Sequence, residues 1–314
     1  MDRNLALEFV RVTEAAAYAA AKWIGKGDKN KADGAAVDAM RERLNEIDFS
    51  GTIVIGEGSK DEAPELYTGE KVGKGGKPEL DVAVDPLECT DSVAYGRYNA
   101  LSVISTGPKG SLLNAPDTYM EKIAAGPGAA KVIDLDAPVV ANIKKVAKAL
   151  RKDVGEITVC VLDRDRHAAL IANIRKSGAR VRLITDGDVA GAIAPCMPDS
   201  GIDLLMGIGA SAEAVLAATA IKALGGEILC RFKPKDDKAA KMVADFGHST
   251  KKIFSTNDLA KGKELTFTAT GVIDGPLLTG VRILADTAVT HSLVIQGVSG
   301  TMRYITTHHQ LPAY

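Results

Sequence analysis

From about residue 137 onward, short apolar runs alternate with helical segments, and that alternation restricts the chain to few folds. The spacing predicts a helix over 141–151, a strand over 157–162, a helix over 167–176 and a strand over 181–184. A helix after Asp188, a strand over 202–206 and an Ala-rich helix over 212–224 complete the series. Strands separated by helices of this length close most simply as a mostly parallel sheet with helices packed across it, so the second half is expected to be α/β. The first half reads differently. Leu5, Phe9, Val12 and Ala16 recur at helical spacing and predict a helix over 4–24, broken by Gly25-Lys26-Gly27-Asp28. A second helix, 29–47, carries Asp33, Val37, Met40 and Leu44 on one stripe, which puts Asp33 on the inward, apolar face. Strands are expected at 52–55, 81–84 and 99–104, with a hairpin around Pro108-Lys109-Gly110. Two helices followed by consecutive strands form an α+β layer. With 314 residues there is room for two domains, and the change of pattern sets their expected limits at 1–136 and 137–314.

Composition removes several classes of function. The 39 basic and 40 acidic residues nearly cancel, which argues against a nucleic-acid or membrane-surface partner. No apolar run reaches the roughly 18 residues of a membrane span. Glu8, Arg11 and Glu14 interrupt the N-terminal apolar stretch, so no secretory leader is expected there. Cys89, Cys160, Cys196 and Cys230 are widely spaced with no C-x-x-C, which points to neither zinc nor a disulfide framework and makes a cytoplasmic location the expectation.

The chemistry concentrates at Asp85-Pro86-Leu87-Glu88-Cys89-Thr90, which follows the alternating run Asp81-Val82-Ala83-Val84. The proline is expected to stop the strand and turn the chain, leaving two carboxylates and a hydroxyl at its mouth. Carboxylates so close repel one another unless a cation sits between them, an arrangement suited to Mg²⁺ or Mn²⁺ chemistry on a phosphate. Alone, such a stretch reads more readily as a solvated acidic turn. Gly56-Glu57-Gly58, at the end of the 52–55 strand, adds a carboxylate flanked by residues that allow close backbone approach. Asp33 adds another, where an unpaired charge would be costly.

Taken together, Gly27-Asp28-Lys29-Asn30, Ala32-Asp33, Ile55-Gly56-Glu57-Gly58, Asp85-Pro86-Leu87-Glu88, Asn114-Ala115-Pro116-Asp117, Asp186-Gly187-Asp188 and Gly207-Ile208-Gly209 resemble the class II fructose-1,6-bisphosphatases. These belong to the wider group of lithium-sensitive, metal-dependent sugar and inositol phosphatases, and the resemblance spans essentially the whole chain. It implies a layered αβαβα sugar-phosphatase fold and Mg²⁺ or Mn²⁺ bound by Asp33, Glu57, Asp85, Glu88 and Glu213. It implies that Thr90, with Asp33 and Glu57, handles the attacking water, and that amides after Glu88, at Cys89 and Thr90, hold the scissile phosphate. Tyr119, Arg164, Asp165 and Arg166 fall where relatives bind the second phosphate, while Asp186, Gly187, Asp188 and Ala210 fall on the sugar side. The implied partner is a small sugar bisphosphate, and the implied assembly a homo-oligomer, dimer or tetramer.

Physical chemistry agrees with that assignment. Phosphate monoester hydrolysis is among the slowest uncatalysed reactions, so strong charge stabilisation is needed. Five carboxylates gathered in one place, about −5 in charge, concentrate cations and destabilise an empty site. One departure stands out, because Cys89 occupies a position where the group usually has glycine. If the backbone there requires positive φ, the side chain costs about 1 kcal/mol and crowds the phosphate amides, which would impair activity. Two other readings compete: a dual fructose-1,6- and sedoheptulose-1,7-bisphosphatase with a slightly roomier pocket, and, from a different class, a catalytically weak sugar-phosphate-binding protein. The intact acid set argues against the last.

Overall fold

The computed structural model describes residues 5–56 and 66–310. Helix α1 (Leu5–Ala21) buries Phe9, Val12, Ala16, Ala17 and Ala20 along one face. Helix α2 (Lys29–Leu44) begins at Asp28, whose carboxylate accepts the Lys31 N–H at 3.0 Å as an N-cap. Its fully buried positions are Ala32, Ala36, Met40 and Leu44, spaced four apart. Asp33 sits one residue round from that stripe and is half-buried, at the margin of the apolar face rather than on it.

The chain continues through β1 (Ser50–Ile55), β2 (Lys71–Val72), β3 (Glu79–Glu88), the short α3 (Thr90–Tyr95) and β4 (Ala100–Pro108). It then enters a second compact unit, residues 113–261. That unit holds β5 (Tyr119–Ala125), α4 (Val139–Leu150), β6 (Thr158–Leu162), α5 (Ala168–Lys176), β7 (Arg180–Ile184) and α6 (Val189–Ile193). It closes with β8 (Leu204–Ala210), α7 (Ser211–Ala223), β9 (Glu227–Phe232), α8 (Asp237–Asp245) and α9 (Thr256–Leu259). From Gly262 the chain returns to the first unit as β10 (Thr266–Ile273), β11 (Arg282–Ile283), β12 (Thr287–Gln296) and β13 (Thr301–Gln310).

Both sheets are mixed. Among the described residues of the first unit, eight strands run in the order β11-β12-β10-β4-β3-β1-β2, with β13 paired to β12, and of these only β1 and β3 are parallel. In the second unit five strands run β7-β6-β8-β5-β9. There β6 is parallel to β7 and β8, as the strand–helix alternation predicts, while β5 is antiparallel to β8 and β9.

The sheet pairings move the domain limits away from the expected 136/137 boundary. Strand β5 hydrogen-bonds with β8 and β9 and so belongs to the second unit, and β10 pairs with β4 over seven residue pairs, which brings the C-terminal strands into the first. Local patterning carries no information about partners more than 150 residues apart, which is why the return was not foreseen. The expected strand end at Pro86 also changes. Strand β3 runs through the proline to Glu88, with Asp85 opposite Val103 and Glu88 opposite Leu101. Three residue steps on β3 face two on β4, a bulge that accommodates a residue with no N–H to offer the ladder.

Each unit has its own core. Phe9, Met40, Leu44, Phe49, Ile53, Val82, Ile104 and Val272 pack in the first, with the Phe9 and Phe49 rings edge to face at 5.5 Å. Ile143, Val146, Ile157, Val159, Val161, Ile174 and Leu204 pack in the second. Among the described residues no helix is long and apolar enough to cross a membrane. Because Phe9 is fully buried against α2 and the sheet, Phe9→Ala is expected to cost about 3–5 kcal/mol of unfolding free energy, measured by urea denaturation.

Candidate active site

In the first unit the β3 bulge delivers Asp85, half-buried, and Glu88, 2 % exposed, to the end of the strand. The chain then turns through Cys89, whose φ of 72° and ψ of 51° lie in the left-handed region. The positive φ anticipated for this position is present, and a non-glycine residue there costs about 1 kcal/mol. Cys89 is buried, which offsets part of that cost, and its Sγ accepts from Asn99 Nδ2 at 3.6 Å. Its carbonyl accepts from the Ser92 N–H (2.9 Å) and the Val93 N–H (3.3 Å), so the left-handed residue starts α3 and Thr90 becomes the first helical residue.

The glycine break after α1 seats against this helix. Gly25 N–H donates to Val93 O at 2.9 Å and Gly27 N–H to Ala94 O at 2.8 Å. Lys29 Nζ lies 3.6 Å from Asp91 Oδ1, an exposed pair between α2 and α3. These links give the Gly27-Asp28-Lys29-Asn30 stretch its place: it docks the start of α2, and with it Asp33, beside the residues that follow Glu88. Burial alone raises the Asp33 pKa, the signature of a carboxylate that would gain from a cation beside it.

Glu57 lies outside the described residues. Asp33, Asp85 and Glu88 belong to the first unit and Glu213 to the second. Among the described residues no three acid, histidine or cysteine side chains form a metal-sized group. The donors are nonetheless of the kind that suits a hard divalent cation, carboxylate oxygens throughout with one of them held in an unfavourable environment.

In the second unit the residues assigned to substrate fall into three linked groups. Tyr119 opens β5 opposite Ala210 on β8, and the Arg166 guanidinium sits 5.0 Å from the Tyr119 ring centre. Arg166 also donates to Ile208 O at 2.8 Å, and Asp165 is exposed in the turn beside it. Arg164 donates to Asp186 Oδ1 at 3.1 Å and to the carbonyl of Thr185. Gly187 has φ of 54°, the left-handed turn that a glycine makes without strain. Asp188 does not face solvent; it is buried, and Lys122 Nζ contacts its two oxygens at 2.7 and 2.9 Å. The same ammonium reaches Glu213 Oε2 at 3.3 Å, and that oxygen accepts the Ala210 N–H at 2.9 Å.

Burial, followed by the negative charge of Glu213, pushes the Asp188 carboxyl up to about 8. For Glu213, burial acts in the same direction, but Lys122, the hydrogen bond with Asp188 and the Ala210 amide outweigh it and hold the group below the usual carboxylate range. Lys122 itself stays charged, because its two acidic partners overcome the effect of burial. At this end of the unit one buried ammonium therefore faces two acidic groups, Asp188 and Glu213.

Sequence reasoning missed Lys122, and named Gly209 only within the Gly207-Ile208-Gly209 motif, without its steric role. A lysine beside Glu121 and ahead of Ile123-Ala124-Ala125 was the available signal, but it becomes meaningful only when the stretch is recognised as a strand. Gly209 is glycine for a steric reason: a Cβ there would lie 2.1 Å from Asp188 Oδ2 and 2.8 Å from Lys122 Nζ.

Residues 3–309 match the family described as bacterial fructose-1,6-bisphosphatase, glpX-encoded. The chain is 47% identical to "Fructose-1,6-bisphosphatase 1 class 2" of Escherichia coli (strain K12), over 99% of its own length and 96% of that protein's. It shows the same identity and coverage to "Fructose-1,6-bisphosphatase class 2" of Shigella flexneri. The chain belongs to this fructose-1,6-bisphosphatase family.

Within this family member, His167 holds the Arg164–Arg166 turn to the Gly207-Ile208-Gly209 segment. It is almost completely buried; Nδ1 bonds Leu162 O and Nε2 accepts the Ile208 N–H, both at 2.8 Å. That pattern requires the neutral ring with its proton on Nδ1. Burial, aided by the charges of Arg166 and Arg164, lowers its pKa below the ordinary 6.5. An unfolded chain therefore takes up a proton near 6.5 that the folded chain refuses, so this contribution to stability is complete above that value and is lost as the pH falls below it. As the pH falls through 6.5, wild-type protein is expected to lose more unfolding free energy than His167→Gln, measured by urea denaturation at each pH.

Proposed function

We propose that this chain releases the 1-phosphate of fructose-1,6-bisphosphate by direct attack of water on phosphorus, giving fructose 6-phosphate and inorganic phosphate. The observation that carries the reading is the β3–α3 junction, where Asp85, Glu88 and Thr90 surround a left-handed residue, in a chain nearly half identical to class 2 fructose-1,6-bisphosphatases over its full length.

Asp33, Glu57, Asp85, Glu88 and Glu213 are the residues we assign to holding Mg²⁺ or Mn²⁺. When bound, the cation supplies the charge stabilisation that a phosphoryl transfer demands. The Thr90 hydroxyl and the Asp33 carboxylate orient the attacking water, and the carboxylate takes up its proton. Amides around Cys89 and Thr90 bind the scissile phosphate, so no mobile charge has to reorganise during the step. Arg164 and Arg166, with Tyr119, bind the second phosphate, and Asp186 presents a carboxylate to the sugar hydroxyls. In the bond change the water oxygen joins phosphorus, the bond from phosphorus to the C1 ester oxygen breaks, and the departing C1 alkoxide is protonated.

Two details of the assignment follow from the geometry. Arg164 is held by Asp186 and the Thr185 carbonyl, which fixes its guanidinium beside the sugar-binding turn. Asp188 is engaged with Lys122, so its role is to hold the turn while Asp186 and the backbone meet the sugar. Family membership supports the layered αβαβα sugar-phosphatase fold and a homo-oligomeric, cytoplasmic enzyme.

Phosphate release from fructose-1,6-bisphosphate should require Mg²⁺ or Mn²⁺ and stop on chelation; turnover that survives exhaustive chelation would remove the metal assignment. Thr90→Ala is expected to lower kcat by about 10²–10³-fold with KM within about threefold, the pattern of a group acting in the transition state. Cys89→Gly frees the left-handed backbone and opens the phosphate amides, so its kcat/KM should equal or exceed that of wild type; a clear loss would show that the thiol is needed.

A further inference from the structure

Lys122 lies in the middle of β5, opposite Gly207 on β8 and Cys230 on β9, with 2 % of its surface exposed. Its three contacts all run to groups that the proposed function uses. Two go to Asp188, at the end of the sugar-binding turn, and one to Glu213, in the first turn of α7. Glu213 in turn accepts the amide of Ala210, which lies opposite Tyr119. Gly209 leaves room for the arrangement, since any side chain at that position would collide with Asp188 Oδ2 and crowd Lys122 Nζ.

We infer that Lys122 is a positioning residue for the phosphatase reaction: its ammonium fixes the Asp186-Gly187-Asp188 turn and the start of α7 in one mutual geometry, and thereby sets substrate affinity. The inference rests on the fructose-bisphosphatase reading above. A structural role alone accounts poorly for the arrangement. Ion pairs buried in a core often give little net stability compared with apolar side chains of similar volume, whereas in some proteins they specify one geometry among several. Here the groups specified are a sugar-binding turn and a metal-binding carboxylate, the two parts of the second unit that must be held most accurately. A misplacement of about 1 Å at such groups lowers rates and affinities by up to 10²-fold. Asp186 benefits indirectly, because the turn that presents it is anchored one residue beyond by Asp188.

The test compares wild type, Lys122→Met, Lys122→Arg and Gly209→Ala in the full chain. For each, KM and kcat are measured with fructose-1,6-bisphosphate and Mn²⁺, and the melting shift produced by fructose 6-phosphate is measured without turnover. Lys122→Met should raise KM at least tenfold, reduce kcat by a smaller factor and abolish the melting shift. Lys122→Arg, which keeps the charge, should recover part of both. Gly209→Ala keeps every charge but pushes Asp188 and Lys122 Nζ out of their present contact, and it should raise KM at least fivefold; it decides the matter if Lys122→Met does not fold. Folded variants whose KM and melting shift match wild type within twofold would overturn the inference, whatever their thermal stability. Wild-type protein that releases no phosphate and shows no melting shift would instead overturn the fructose-bisphosphatase reading, and the role of Lys122 with it.

Discussion

One extra residue in β3, opposite β4, governs the placement of Asp85 and Glu88 in the first unit. The pairing is regular from Leu80 to Asp85 and then slips, so that Glu88 meets Leu101. A proline inside a paired strand must lie where its missing N–H does no damage, and the bulge provides that place. The same slip aims Asp85 and Glu88 at the strand end and hands the chain to Cys89, where a left-handed backbone reverses direction into α3. A regular strand would have continued the ladder past Glu88 and left Thr90 as one more paired residue. The glycine break after α1 then ties α2 to α3 through Gly25 and Gly27, which is how Asp33, more than fifty residues earlier in the chain, comes to share this unit's end with them.

The second unit is organised by buried polar groups. Lys122 ties the 186–188 turn to the start of α7, and His167 ties the arginine turn to β8. Both act between strand ends of the five-stranded sheet, where βα connections converge and where a sheet of this type offers its binding residues. The two differ in electrical state. His167 must be neutral to accept the Ile208 N–H, whereas Lys122 must be charged to hold two acids. Each state follows from surroundings rather than residue type: two arginines and burial discourage a proton on the histidine, while Asp188 and Glu213 retain one on the lysine.

Much of the second unit was legible in advance, because the strand–helix alternation over 157–224 is a local signal and the expected segments agree with β6 to α7 within a few residues, apart from the C-terminal extension of β8 to Ala210. The first unit was harder. Its strands β10, β12 and β13 lie beyond residue 262, and their pairing with β4 is a long-range choice that no periodicity encodes. Pro86 misled for a related reason: the residue is unfavourable in a regular ladder, and only the partner strand reveals that the ladder is irregular there. Asp33 was placed on the helix face to within one residue, yet the apolar stripe that positions it is made of Ala32, Ala36, Met40 and Leu44, since the small alanines let α2 approach its neighbours closely.

By itself the sequence determined the chemistry available to this protein: the acids, the threonine, the arginines and the glycines of a family whose motifs recur along the whole chain. It also determined that Cys89 would be strained if its backbone had to turn left-handed. Only the tertiary structure decided that it does, with φ at 72°. Tertiary structure alone also decided that Asp188 and Glu213 share one lysine from another strand. Residue identity is local, but the charge state and aim of a buried side chain depend on what the fold packs against it, and those neighbours come from distant parts of the chain.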